Sequence, residues 1–271
     1  MKVFIHDVSI CNGCYNCQIA CKDEHVTNDW TPYAKPQPET GQFWLKLNEY
    51  IRGTVPKVKM HYIPVLCMHC DKATCMAVCK IEGAIYKRKD GLVIIDPVKC
   101  TGCKSCVDAC PYGAIYFNQD LNLAQKCTGC AHLLDTGWKE PRCVDACPTL
   151  ALQFLEEDQA KDYIQKAVYV KPERRNTDKP RVHYLNIPKR FIGGTVYDPL
   201  KNEVSIGALC TLTNSNSSTE TTTDTDSFGD FWFEGLETGL FSLKIEKDCK
   251  TKKIESINTQ KDVNLGEIPL T

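Results

Sequence analysis

Phe241, Leu243 and Ile245 alternate with Ser242, Lys244 and Glu246, the period-two pattern of a strand with one buried face. Further short runs at Phe191–Tyr197, Ser205–Thr213, Asp230–Phe233 and Val263–Ile268 predict a series of strands after about residue 190. Turn-forming stretches separate some of them, notably Asp198-Pro-Leu-Lys-Asn202 and Gly235-Leu-Glu-Thr-Gly239. Strands this short and this closely spaced predict a small β-sandwich. The Ser/Thr/Asp-rich run from Asn214 to Ser227 reads as an exposed hairpin tip. Its oxygens do not follow the ligand spacing of a calcium loop. Phe231 and Phe233 fall on one face of their strand and Trp232 on the other, so no multi-ring platform for stacking a sugar is expected.

Before residue 190 the pattern changes. Gly91-Leu-Val-Ile-Ile-Asp96 predicts a strand from its β-branched residues, and Phe43–Asn48 predicts another from an imperfect alternation. Pro32, Pro36 and Pro38 predict irregular backbone ahead of it. Glu156–Ile164 predicts a surface helix, and Pro172, Pro180 and Pro188 disfavour its continuation. The expected organisation is α+β: residues 1–155, a connector over 156–189, and an all-β part over 190–271.

Cysteine changes this picture most. Sixteen of the eighteen cysteines precede residue 148, in four groups of four: Cys11, Cys14, Cys17, Cys21; Cys67, Cys70, Cys75, Cys79; Cys100, Cys103, Cys106, Cys110; and Cys127, Cys130, Cys143, Cys147. A C-x2-C-x2-C turn supplies three soft thiolates to one corner of an iron–sulfur cubane, and the cysteine three residues on projects away towards another cluster. Cys100–Cys110 followed by Pro111 is the full bacterial ferredoxin pattern. Cys11–Cys21 keeps the spacing without the proline. The second group loosens it to C-x2-C-x4-C-x3-C, and the fourth stretches it to C-x2-C-x12-C-x3-C. Tyr112-Gly-Ala-Ile-Tyr116, Thr149-Leu-Ala-Leu152 and Gly83-Ala-Ile-Tyr86 each follow a cysteine and a bend, so an internal repeat of helical turn and strand is expected. Sixteen thiolates suffice for four cubanes, which would also replace much of a thin aliphatic core. Zinc is the rival metal, but structural zinc usually takes two separated cysteine pairs. A disulfide framework is the reading for a small secreted scaffold, and this chain is long.

Lys plus Arg is 33 and Asp plus Glu 34, a formal charge of -1. Four oxidised cubanes, at about -2 each with their thiolates, would take the total to about -9. There is no basic excess and no aromatic–basic interleaving, so no nucleic-acid surface is expected. No apolar run approaches membrane-spanning length and no signal peptide is visible, so a cytoplasmic protein with no direct membrane span is expected, with export alongside a signal-bearing partner left open.

His25, His69 and His132 lie near cysteines and read as packing residues, since each group already has four sulfurs. Lys22, Lys72, Lys80, Lys99, Lys104 and Lys126 also lie near cysteines, where each is either a solvated lysine or an offset to cluster charge. Cys210 and Cys249 sit in the β-rich part, outside any cluster, either as ordinary buried thiols or as a disulfide. The chain has no G-x-S-x-G elbow, phosphate loop or dinucleotide fingerprint. Asp230 and Glu234 bracket a strand, as carboxylates commonly do. Bond-making chemistry is therefore expected on a partner, with no catalytic residue here.

The order of the cysteines carries a resemblance. Cys11-Asn-Gly-Cys-Tyr-Asn-Cys-Gln-Ile-Ala-Cys21, Cys67-Met-His-Cys70, Cys100-Thr-Gly-Cys-Lys-Ser-Cys-Val-Asp-Ala-Cys-Pro111, and Cys127-Thr-Gly-Cys130 with Cys143-Val-Asp-Ala-Cys-Pro148 resemble the four-cluster electron-transfer subunit of the dimethyl sulfoxide reductase superfamily. The resemblance covers residues 1 to about 155. It implies crossed ligation of four [4Fe–4S] clusters. Cys11, Cys14 and Cys17 would take Cys147; Cys127, Cys130 and Cys143 would take Cys21. Cys67, Cys70 and Cys75 would take Cys110; Cys100, Cys103 and Cys106 would take Cys79.

It also implies a large catalytic subunit bearing bis-molybdopterin guanine dinucleotide with molybdenum or tungsten, and an external redox carrier. Within the family, Asp23-Glu-His25, Trp30 and Ala131-His-Leu-Leu134 are similar to the small subunits of the pyrogallol–phloroglucinol transhydroxylase and catechol dehydroxylase branch. Gly193-Gly-Thr-Val-Tyr-Asp198, Asp226-Ser-Phe-Gly-Asp-Phe231 and Gly235–Gly239 resemble a transthyretin-like or carboxypeptidase-regulatory-like module. The transhydroxylase small subunit is known for three clusters, whereas sixteen suitably spaced cysteines remain here. A complete wire implies net redox turnover on a phenolic or catechol substrate. The alternatives are a respiratory partner reducing an oxyanion, sulfur compound or sulfoxide, and a scaffold whose clusters are partly structural.

Overall fold

The computed structural model describes residues 1–271. They form two compact units: Met1–Tyr50 with His61–Ile187, and Ile51–Met60 with Pro188–Thr271.

In chain order, the strands up to the end of the first unit are β1 (Lys2–Asp7), β2 (Leu45–Thr54), β3 (Lys57–Leu66), β4 (Ile85–Lys87), β5 (Val93–Ile95), β6 (Tyr116–Asn118), β7 (Leu123–Gln125), β8 (Leu152–Glu156) and β9 (Val182–Leu185). Its helices are α1 (Asn16–Val26), α2 (Thr74–Ala77), α3 (Ser105–Ala109), α4 (Ala131–Asp135), α5 (Arg142–Asp145), α6 (Lys161–Lys166) and α7 (Arg175–Asp178). Most of these helices are too short to persist alone. Three of them follow the expected repeat: α2 leads to β4, α3 to β6 and α5 to β8. β4–β5 and β6–β7 are two-stranded antiparallel hairpins.

β8 joins a different sheet, antiparallel to β1, which pairs in parallel with β9 on its other side. Phe4 lies opposite both Phe154 and Val182, and all three are buried. Residues 156–187, expected as most of a connector, are thus part of the first unit. Val182, His183, Tyr184 and Leu185 are buried, and a segment that buries four consecutive residues on a sheet edge is structure rather than linker. The expected helix over Glu156–Ile164 is also shifted. Glu156 still pairs with Lys2 in the sheet, and the helix begins only at Lys161.

The core of this unit is partly made of thiols. Cys21, Cys67, Cys127 and Cys143 are buried in one apolar cluster with Phe4, Trp44 and Leu66. A second cluster sets Cys106 among Ile85, Val93 and Ile95.

The second unit carries β10 (Arg190–Asp198), β11 (Glu203–Val204), β12 (Leu209–Asn214), β13 (Glu220–Asp224), β14 (Asp230–Leu236), β15 (Leu240–Lys247), β16 (Lys250–Asn258) and β17 (Val263–Pro269). They make two four-stranded sheets. One runs β11-β10-β14, with β17 also on β10; the other runs β13-β12-β15-β16. Ile192, Val196, Phe231 and Phe233 from the first share one apolar core with Cys210, Leu212, Leu243 and Ile245 from the second.

β13 and β16 lack the alternation that marks the inner strands. β13 lies within the stretch read as a hairpin tip, which shrinks to the residues before Glu220. Both are edge strands, largely polar and exposed, and an edge strand is built to be polar because it must not recruit another chain. Cys210 and Cys249 are free thiols, the first buried and the second exposed. Trp232 packs over Gly193, where a Cβ would come within 3.2 Å of the indole. Its ring is covered by the Lys57 and Lys59 ammoniums at 5.5 and 4.7 Å. The indole is therefore occupied from within this unit.

Candidate iron–sulfur centres

The four cysteine turns share a backbone solution. In Cys11-Asn-Gly-Cys14, Cys100-Thr-Gly-Cys103 and Cys127-Thr-Gly-Cys130, the glycines adopt φ of +70°, +72° and +63°. In Cys67-Met-His-Cys70, His69 takes that place with φ of +44°. A left-handed residue curls the chain back on the preceding sulfur. The Gly129 N–H donates to Cys127 Sγ at 3.3 Å, and the His69 N–H to Cys67 Sγ at 3.4 Å. Leu152 N–H does the same for Cys147 at 3.4 Å. Such N–H groups stabilise negative charge on sulfur.

The glycine is also a steric need. At Gly102 a Cβ would lie 2.4 Å from the carbonyl oxygen of Asn122. Gly102→Ala should therefore lose about four irons per chain, those nearest Cys100 and Cys103. Gly113, with φ of +61° and no neighbour within 4 Å, should tolerate alanine at a backbone cost of about 1–2 kcal/mol and keep its iron. Iron analysis and visible absorption on the two variants check both outcomes.

The structure brings the sixteen thiols together in sets that cross the sequence groups. Cys17 lies within electrostatic reach of Cys11, Cys14 and Cys147. Cys143 lies within electrostatic reach of Cys130, Cys21 and Cys127, and of Cys17 in the first set. Cys70 lies within reach of Cys67, Cys75 and Cys110. Cys106 lies within reach of Cys100, Cys103 and Cys79.

Short helical segments make the exchange. Cys17 and Cys21 sit four residues apart on α1, one helical turn, and face different sets. Cys143 and Cys147 do so across α5, Cys75 and Cys79 across α2, and Cys106 and Cys110 across α3. α1 packs on α5, and α2 on α3. Electrostatic reach between sets runs from Cys17 to Cys143, from Cys127 to Cys67 and from Cys75 to Cys106, so the sets are strung in the order containing Cys14, Cys21, Cys67 and Cys103. Cys14 and Cys103, in the two end sets, are exposed, whereas the set around Cys21 is wholly buried.

Bare thiolates do not suit these positions. Burial, reinforced by the neighbouring thiolates Cys11, Cys147 and Cys14, pushes Cys17 up to about 12. Burial and its sulfur neighbours raise Cys21 and Cys143 well above the ordinary thiol value. Four thiolates coexist here only around a strong cationic centre, which is what metal coordination provides. No three cysteine, histidine or acidic side chains converge closely enough to hold a single ion. A cubane takes thiols spread around a larger body than one zinc ion. Cys79, Cys100, Cys103 and Cys106 line one pocket, walled by Ile85 and Ile95. The donor set and the cradle fit an iron–sulfur group.

The three histidines near cysteines are all buried. His25 Nε2 is 3.9 Å from Cys130 Sγ, and its ring is 4.7 Å from Trp44. Burial takes His25 down to about 3, so it packs as a neutral ring. His132 stacks on Trp30 at 4.2 Å and bonds Glu24 Oε1 at 3.0 Å. His69 Nδ1 accepts from the Val93 N–H at 3.0 Å. Among the six lysines near cysteines, Lys126 alone is buried; Lys72, Lys80, Lys99 and Lys104 are exposed, and the half-buried Lys22 donates to the carbonyls of Pro38 and Gln42. Sequence reasoning missed Glu24 and Arg142, whose ion pair at 3.5 Å flanks the Cys130 set. Their spacing of more than a hundred residues offered no signal.

Comparison with known proteins agrees with this site. The family model of the 4Fe-4S dicluster domain matches residues 58–157, and that of the carboxypeptidase regulatory-like domain matches residues 192–268. The pyrogallol hydroxytransferase small subunit of Pelobacter acidigallici is 38% identical over 274 residues, covering 97% of each chain. The probable anaerobic dimethyl sulfoxide reductase chain YnfG of Escherichia coli K12 is 36% identical over 181 residues, 66% of this chain and 85% of that one. The iron–sulfur subunit ArrB of the arsenate respiratory reductase of Shewanella sp. ANA-3 is 34% identical over 233 residues, 66% of this chain and 93% of that one.

Proposed function

The chain belongs to the iron–sulfur electron-transfer subunits of the dimethyl sulfoxide reductase superfamily, and from that premise we propose that it is a four-cluster wire serving a molybdopterin catalytic subunit that acts on a small phenol or catechol. The observation that supports this reading is four sets of four thiols, each within electrostatic reach of its own members, with Cys14 and Cys103 exposed. Each set would hold one [4Fe–4S] cluster in the crossed pairing named above. When bound, such a group accepts and returns single electrons. The chain's own residues position the groups, bury the set around Cys21 and tune the sulfurs with N–H donors. Bond-making belongs to the large subunit.

The substrate class rests on the second unit. The relative matched along nearly the whole chain, β-unit included, is a small subunit named for pyrogallol. The respiratory relatives match only about two thirds of this chain. A carboxypeptidase-regulatory-like, transthyretin-like sandwich is the reading for that unit, supported by its two four-stranded sheets around one core. Assembly and operation in the cytoplasm belong to the same proposal.

The test is freeze-quench EPR on the complex with its large subunit, mixed anaerobically with catechols or trihydroxybenzenes. Cluster signals should change oxidation state within one turnover. Clusters that stay in one state throughout turnover would reduce them to structural supports and overturn the reading.

A further inference from the structure

Lys57, Arg181 and Lys126 are buried cations, each 2–3% exposed. Two of them have obvious counter-charges. Lys57 pairs with Asp230, and Arg181 with Asp71 and Glu157. Lys126 pairs with no carboxylate. Its Nζ donates to two carbonyl oxygens, those of Val93 and of Cys127 at 3.1 Å. A buried ammonium without a counter-ion is costly, and two neutral carbonyls do not neutralise it.

The anions within its reach are sulfurs. Lys126 immediately precedes Cys127, in the set around Cys21, and bonds its carbonyl; Val93, which takes its other bond, lies in the apolar cluster against which Cys75 and Cys110, of the set around Cys67, pack. Those are the two interior sets, and they belong to different halves of the unit. The remaining charged lysine nearby, Lys87, has Asp71 at 2.9 Å.

We propose that Lys126 is the shared counter-cation of the two interior clusters and sets their potentials. This rests on the four-cluster reading above. A fixed positive charge stabilises the more negative, reduced state of each cluster. It therefore raises the affinity of both interior sites for an electron relative to the two ends. Its carbonyl bonds hold the ammonium between the sets, so it is a positioning charge and not a ligand.

Iron is measured first on the unaltered complex. About sixteen irons per chain satisfies the reading on which the proposal rests, and far fewer would sink that reading separately. EPR-monitored redox titration then compares Lys126→Gln, which keeps a donor without the charge, and Lys126→Arg, which keeps the charge. In Lys126→Gln two of the four midpoint potentials should fall by about 59 mV or more, a tenfold weaker electron affinity for a one-electron couple. The other two should hold, and Lys126→Arg should restore most of the difference. Unchanged potentials with full iron, or a fall shared equally by all four, would overturn the assignment. If Lys126→Gln fails to retain iron, Lys126→Arg decides. Full iron with near-normal potentials supports the charge, whereas iron loss in both variants shows that the site reads shape and refutes it.

Discussion

Cys147→Ala should remove the cluster at the Cys14 end and spare the one around Cys143, although Cys143 is only four residues away. The Cys147 sulfur accepts from the Leu152 N–H at 3.4 Å and lies with Cys11 and Cys17. Cys143 is turned towards Cys130, Cys21 and Cys127. Iron should drop by about four per chain, and the lost EPR signal should differ from the one lost in Cys143→Ala. Cys21→Ala should mimic Cys143→Ala, though Cys21 belongs by sequence to the first group. If ligation were local instead, Cys143→Ala and Cys147→Ala would erase the same signal and Cys21→Ala another. Loss of an end cluster should also cut electron delivery far more than loss of iron alone suggests, because the sets lie in series.

Much of this site was legible in the sequence, and the reason is chemical. Thiolate spacing inside one turn is a local property, so Cys100–Cys110 declares its use without a fold. The crossed pairing is not local. Spacing alone groups Cys147 with Cys143; the resemblance to a family implies the exchange, and Cys147 does lie within electrostatic reach of Cys11. Inner strands such as β15 were legible because a buried face imposes alternation. β16 was not, since Lys250–Asn258 is a largely polar edge that gives the core only Ile254 and Ile257. The 156–187 segment was misleading because its prolines suggest a linker, yet Val182–Leu185 is buried beside β1. Lys126 is one of six lysines near cysteines, and only packing distinguishes it.

Asp262→Ala should loosen the second unit by about 3–5 kcal/mol, the usual consequence of stranding one half of a buried ion pair. Asp262 and Arg52 are 5% and 10% exposed at the side chain. Their contact is bidentate, at 2.6 and 2.9 Å. Asp262 also accepts from the Phe191 N–H at 3.0 Å, next to the bulge at the start of β10. Alanine would leave the Phe191 N–H without its acceptor and the Arg52 guanidinium without its counter-ion, with only the Lys189 carbonyl remaining. Native-state hydrogen exchange suits the measurement, since loss of clusters makes global unfolding irreversible. Amides of β10, β14 and β17 should exchange roughly 100- to 4,000-fold faster, at about 1.4 kcal/mol per factor of ten. The effect should depend on pH with a definite sign. Burial alone would raise the Asp262 carboxyl, but its bonds to Arg52 and Phe191 hold it below the ordinary 3.8. A group depressed in the folded state stabilises it above its unfolded pKa and loses that contribution as pH falls through the folded one. The gap between wild type and Asp262→Ala should therefore be constant from pH 7 to 5 and narrow as pH falls below about 4. Exchange unaltered at neutral pH would show that the Arg52–Asp262 pair contributes nothing to this unit, and a gap unchanged in acid would show that the carboxylate's charge is not what contributes.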